Sequence, residues 1–81
     1  MNNNEIKIKL NTPEDIISFT DIVLHFNDDI DVVDGSKVVD AKSLMGVCAL
    51  ARGKKFIVRI LSDDIETIND FKFLLRRFEV E

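Results

Sequence analysis

Few residues in this chain of 81 are equipped for covalent chemistry: one histidine, one cysteine, and hydroxyls and carboxylates set at the joints between hydrophobic stretches. His25 falls on the polar side of a predicted helix with no neighbouring arginine, and reads as a surface residue rather than a ligand or general base. Cys48 has no histidine near it in sequence, so an activated thiolate is not expected and a small buried hydrophobe is its ordinary role. As the lone cysteine it also excludes an intramolecular disulfide and a cysteine-based zinc cluster. The acidic pairs Glu14-Asp15, Asp28-Asp29 and Asp63-Asp64 sit at the ends of predicted elements, where they serve as caps and solvated turns. A metal cage needs several oxygens converging from different directions. No glycine-rich phosphate loop is present. No catalytic residue, metal or cofactor is therefore predicted, and no enzyme. The residue that stands out is Ser43, placed just before a short apolar helical run. It has two readings: a helix N-cap, or an N-cap that is also a phosphorylation site, since a dianion there meets free N–H groups and the positive dipole end.

The elements that would position these residues are legible from periodicity. Glu5 to Leu10 alternates, with Ile6, Ile8 and Leu10 on one side and Glu5, Lys7 and Lys9 on the other, which predicts a half-buried strand. Asn11-Thr12-Pro13-Glu14-Asp15 then opens a helix, with Thr12 as cap, Pro13 as first helical residue and Asp15 at the positive end of the dipole. That helix is expected to run to about Phe26, its apolar stripe made of Ile16, Phe19, Val23 and Phe26 and widened by Ile22. Ile17 and Leu24 fall on a flank, towards a second set of neighbours.

Ile30–Val33 predicts a short strand, Asp34-Gly35 a turn, and Lys37–Ala41 the returning hairpin partner. Ser43 begins a second helix through about Ala51, stopped by Arg52-Gly53. Lys54 to Leu61 is the longest strand. Ser62-Asp63-Asp64 caps a last helix through about Phe78, with Ile65, Ile68, Phe71, Leu75 and Phe78 as its stripe and Phe73 off it. The order β-α-β-β-α-β-α predicts an α+β fold, an open-faced sandwich with helices on one face of a mainly antiparallel sheet.

The second helix carries more apolar residues than one core contact needs: Leu44, Met45, Val47, Cys48, Leu50 and Ala51. Either all six are buried, or Val47 and Leu50 suffice and Leu44, Met45 and Cys48 form an exposed patch beside Ser43.

Composition bounds the rest. A chain this short makes one domain, 1–81, and must commit most of its 46% hydrophobic residues to a single core. A net charge of −4 argues against direct nucleic-acid binding, which calls for a basic stripe. No apolar run is long enough for membrane insertion. Residues 1–4 lack targeting character and read as a frayed start, so the expected setting is the cytoplasm.

The segment Lys37-Val38-Val39-Asp40-Ala41-Lys42-Ser43-Leu44-Met45-Gly46-Val47 resembles the part of HPr, the phosphocarrier of the bacterial sugar phosphotransferase system, in which a hairpin strand leads into Lys-Ser-Ile/Leu-Met-Gly-Val. The element order over residues 5–80 is similar to that family's as well, and implies a sheet ordered 1-4-2-3 under three helices. The family's signature, Gly-Leu/Ile-His-x-Arg-Pro at the start of the first helix, is missing. Asn11-Thr12-Pro13-Glu14-Asp15-Ile16 stands there, with Thr12 at the position of the phosphorylated histidine and Glu14 at that of the arginine. Acidic groups repel an incoming phosphoryl group, so the family's transfer chemistry is not expected. The link from the second helix to the last strand also looks about two residues shorter than the family's.

In HPr of Gram-positive bacteria, and in the Crh branch that lacks the catalytic histidine, the serine at this point is phosphorylated by HPr kinase/phosphorylase. The product is a corepressor for a catabolite-control transcription factor, and both partners dock on the apolar patch of the second helix. The resemblance thus implies a non-enzymatic regulator of sugar transport and carbon catabolite repression, with a protein kinase or a transcriptional regulator as partner. The rival reading is a diverged interaction or oligomerisation module without a phosphotransfer link. A small-ligand-binding domain would need a polar-lined pocket, for which the sequence offers no residues, and phosphocarrier activity ranks last.

Overall fold

Alternating burial builds the sheet. The computed structural model describes residues 3–50 and 53–81. In β1 (Glu5–Lys9), β2 (Ile30–Asp34) and β4 (Lys55–Ile60) every second side chain is buried: Ile6 and Ile8, then Ile30 and Val32, then Phe56, Val58 and Ile60. With β3 (Lys37–Asp40) they form one antiparallel sheet in the order β1-β4-β2-β3. The register stacks the buried positions: Ile6 lies opposite Val58, and Val58 opposite Val32. A slip of one residue would turn every one of these side chains to the wrong face.

Helices α1 (Pro13–Val23), α2 (Leu44–Leu50) and α3 (Ile65–Leu75) cover that face, and a 3₁₀ turn at Arg76–Phe78 follows α3. Phe19, Val23, Val47, Ile68, Phe71, Leu75 and the turn's Phe78 join the strand residues in one core cluster. Two aromatic pairs meet edge to face, Phe19–Phe56 with centroids 6.3 Å apart and Phe26–Phe71 at 6.0 Å. The expected α+β open-faced sandwich is thus the observed one.

The start of α1 shows how local chemistry places an element. Thr12 is extended, its Oγ1 accepts from the Asp15 N–H at 3.0 Å, and the Asp15 carboxylate accepts from the Asn11 N–H at 3.0 Å. Pro13 fills the first turn, where its missing N–H is not needed. Thr12→Ala is expected to lower stability by about 1 kcal/mol, and Thr12→Ser to retain most of it, in urea denaturation followed by circular dichroism.

Several expectations are corrected. The α-helical part of α1 ends at Val23; the Leu24 N–H still bonds four residues back to Thr20, and the two after it bond three residues back, His25 to Ile22 and Phe26 to Val23, tightening the exit. Ile17, Leu24 and Ile65 are exposed, because the buried arc of each helix is narrower than its apolar arc. Asp34 pairs with Lys37, so the hairpin loop is Gly35-Ser36, with Gly35 at φ +61°. Asn4 is not frayed: its side-chain amide donates to the Ile60 carbonyl at 2.8 Å and its own carbonyl accepts from the Ile60 N–H at 3.0 Å.

The C-terminal residues do something the periodicity did not predict. Glu79 bridges Ile8, and the Val80 N–H donates to the Lys7 carbonyl at 3.0 Å, so they cover the outer edge of β1. The expectations for Met1, Asn2, the Leu50 side chain, Ala51 and Arg52 lie outside the described residues. Gly53 takes φ +65°, a left-handed conformation open to glycine at no steric cost.

Candidate functional site

Ser43 sits at the N-cap of α2, exposed, with its carbonyl accepting from the Val47 N–H at 3.0 Å and its Oγ 3.4 Å from the Gly46 N–H. Gly46 matters to it directly, since a Cβ there would lie 3.3 Å from the Ser43 Oγ and crowd the hydroxyl. The turn before the helix is fixed on both sides. The Asp40 carboxylate accepts from the Lys42 N–H at 2.9 Å, and Lys42 Nζ donates to the Phe26 carbonyl at 2.7 Å, placing a cation beyond the end of α1.

From that anchored start, α2 divides its apolar residues. Val47 is fully buried, whereas Leu44 is 46% and Met45 86% exposed, and Cys48 is exposed too. Leu44, Met45 and Cys48 thus stand exposed together, and the expected buried role for Cys48 does not hold. Across from it, Ile17 is 57% exposed. Thr12, Pro13, Ile16 and Ile17 on α1 and Leu44 and Cys48 on α2 line a shallow, largely apolar depression of about 580 Å³. Ile17 was missed as a site residue; its place off the core stripe of α1 was the signal.

At the mouth of α1, where the HPr resemblance calls for an imidazole, Thr12 offers only a hydroxyl, and that oxygen already accepts from the Asp15 N–H. Glu14, at the arginine position, is exposed. His25 lies elsewhere, exposed beside a separate groove with Asp28, Thr67, Asp70 and Phe73. The acidic pairs act locally: Asp15 caps α1, and the Asp64 carboxylate accepts from the Thr67 hydroxyl at 2.7 Å. Among the described residues no three His, Cys, Asp or Glu side chains come together as a metal site, and no helix is long and apolar enough to cross a membrane.

The sheet order and the three covering helices have clear counterparts among solved structures. HPr-C-His from Thermoanaerobacter tengcongensis superposes with a TM-score of 0.68 at 24% identity, over 88% of each chain. A histidine-containing phosphocarrier protein from Mycoplasma gives 0.67 at 16% identity, over 90% of this chain and 92% of its own. The fold is that of HPr. No protein-family model and no curated sequence matches the chain. Within the HPr fold, the site described here joins the first turn of α1 to the outward face of α2. What it offers chemically is a serine hydroxyl and an apolar contact surface.

Proposed function

We propose that this chain is an HPr-fold regulatory protein of the sugar phosphotransferase system that acts by docking other proteins rather than by carrying phosphate. The docking surface is Leu44, Met45 and Cys48 on α2 with the depression beside α1, and phosphorylation of Ser43 is the switch. One observation carries the reading: apolar side chains stand in water next to an exposed serine, on a helix whose Val47 is buried beneath them. Such surface is retained where a partner covers it, and methionine suits a surface that must adapt. The partners on this reading are an HPr kinase/phosphorylase and a transcriptional regulator of carbon catabolite repression, in the cytoplasm.

In the modification step the Ser43 Oγ bonds to the γ-phosphorus of ATP, the bond to the ADP oxygen breaks, and the serine proton passes to a base on the kinase. Incubation with HPr kinase and labelled ATP is expected to yield one phosphoserine that Ser43→Ala abolishes, while phosphorylated enzyme I transfers no label. No phosphoserine under conditions that modify true HPr would remove the switch, and label arriving from enzyme I would overturn the whole reading.

A further inference from the structure

The two edges of the sheet are finished differently. β3 is the shorter one, with a charge at each end in Lys37 and Asp40, and short charged edges resist pairing with another chain. Its Asp40 carbonyl is also engaged, accepting from the Ser43 N–H at 3.0 Å. β1 alternates Ile6 and Ile8 with Glu5, Lys7 and Lys9, and its outer edge is occupied by the chain itself. Phe78, buried in the core, fixes where the chain leaves the 3₁₀ turn. Glu79 is then extended and bridges Ile8, and the Val80 N–H donates to the Lys7 carbonyl at 3.0 Å. Lys55 Nζ reaches from β4 past β1 to a Glu81 main-chain oxygen at 3.0 Å. Glu79 and Glu81 are exposed and Val80 is half-buried, and a hollow of about 480 Å³ opens between Ile6, Lys72, Arg76 and Val80. The segment is thus attached by its hydrogen bonds more than by packing.

We propose that Glu79–Glu81 is an edge strap, held by Val80 and Lys55, that keeps β1 from pairing with β1 of a second copy. The strap stands where a fifth strand would. The Lys7 carbonyl faces outward to receive Val80, and the Lys7 N–H faces the same way, as it does in an antiparallel ladder. A second β1, brought alongside by a two-fold axis through Lys7 and normal to the sheet, finds those same groups. In that register Glu5 meets Lys9 at each end and Ile6 meets Ile8, so every side chain stays on its own face. The central Lys7 pair, the one like-charge contact, is flanked by both Glu5 carboxylates. An uncovered strand of this pattern is a template for edge-to-edge association. Strap and second copy therefore compete for one set of main-chain groups. The strap prevails because it belongs to the same chain and its effective concentration is high.

Val80→Pro removes the donor to Lys7, and Lys55→Ala removes the hold on Glu81. Two hydrogen bonds of ordinary net strength correspond to about a tenfold change or more, so the double variant should self-associate at least about tenfold more tightly than the native chain in sedimentation velocity. Adding Lys7→Pro, which an edge strand tolerates where the N–H faces away from the sheet, should return association to the native level. In the native chain the Val80 amide should exchange more slowly than an unstructured one. Circular dichroism melts confirm that the variants are folded. A folded double variant that associates no more than the native chain, association that survives Lys7→Pro, or an unprotected native Val80 amide would each overturn the proposal. If the variants do not fold, the native chain decides: a protected Val80 amide with no concentration-dependent shift at Lys7 or Lys9 upholds the strap, and the reverse of either overturns it.

Discussion

Replacing Phe71 with alanine is expected to bring the protein to the edge of unfolding at room temperature, whereas the same change at Phe73, two residues along the same helix, is expected to do almost nothing. Phe71 is fully buried and meets Phe26 edge to face; Phe73 is 67% exposed. Truncating a buried phenylalanine removes the transfer energy of its ring and leaves a cavity, typically about 3–5 kcal/mol. At roughly 0.05–0.15 kcal/mol per residue, an 81-residue chain holds a total of roughly 4–12 kcal/mol. The loss is thus a large share of the whole. At about 4–8 °C per kcal/mol for a domain of this size, Tm should fall by at least roughly 12 °C. The Arg76 guanidinium lies 5.9 Å from the Phe73 ring centroid, a contact worth no more than about 1 kcal/mol at an exposed site. Thermal melts of the two variants side by side give the result. Equal losses would mean that the buried face of α3 has been misassigned.

That contrast also shows what was legible in the sequence and what was not. A period of 3.6 placed Phe71 on the core stripe and Phe73 off it, and a period of two separated the two faces of β1. Thr12-Pro13 marked the start of α1 because cap chemistry is local. Periodicity gives the centre of a buried arc and not its width, which is why Ile17, Leu24 and Ile65 looked like packing residues and are exposed. Whether a flanking position is covered depends on how closely neighbouring elements approach, a property of the tertiary structure. For the same reason the excess of apolar residues on α2 was visible, while its division into a buried Val47 and an exposed Leu44 and Met45 was not.

Asn4 and the segment Glu79–Glu81 were beyond sequence reasoning for another reason. Their ties to Ile60, Lys7 and Ile8 are made largely by main-chain groups, which carry no side-chain signature. Which outward residues line up across the strands belongs to the same class, since alternation shows which residues face outward and only register shows that Glu5 meets Arg59 and Asp31 meets Asp40. At the candidate site the informative feature was a missing one: the absence of an imidazole at the mouth of α1 could be read directly, and the capped Thr12 hydroxyl gives it a physical form.

Met45→Glu is expected to abolish partner capture while leaving the fold intact, the second of the large effects. Met45 is 86% exposed, so a carboxylate there stays solvated in the free protein and stability should change by no more than about 0.5 kcal/mol. In a complex the same carboxylate would be driven into an apolar contact without a counter-charge. Burying an unpaired charge is strongly unfavourable, typically about 3–5 kcal/mol when a pair is broken at an interface. At about 1.4 kcal/mol per tenfold, the affinity should fall by at least about a hundredfold, enough to lose a partner from a pull-down. Leu24→Glu is the matched control, an apolar residue 58% exposed at the far end of α1 from the docking surface. The expected outcome is capture of the kinase or regulator by the native chain and by Leu24→Glu, and none by Met45→Glu. Loss with both variants would mean that any added charge prevents binding, and loss with neither would place the partner on a surface other than α2.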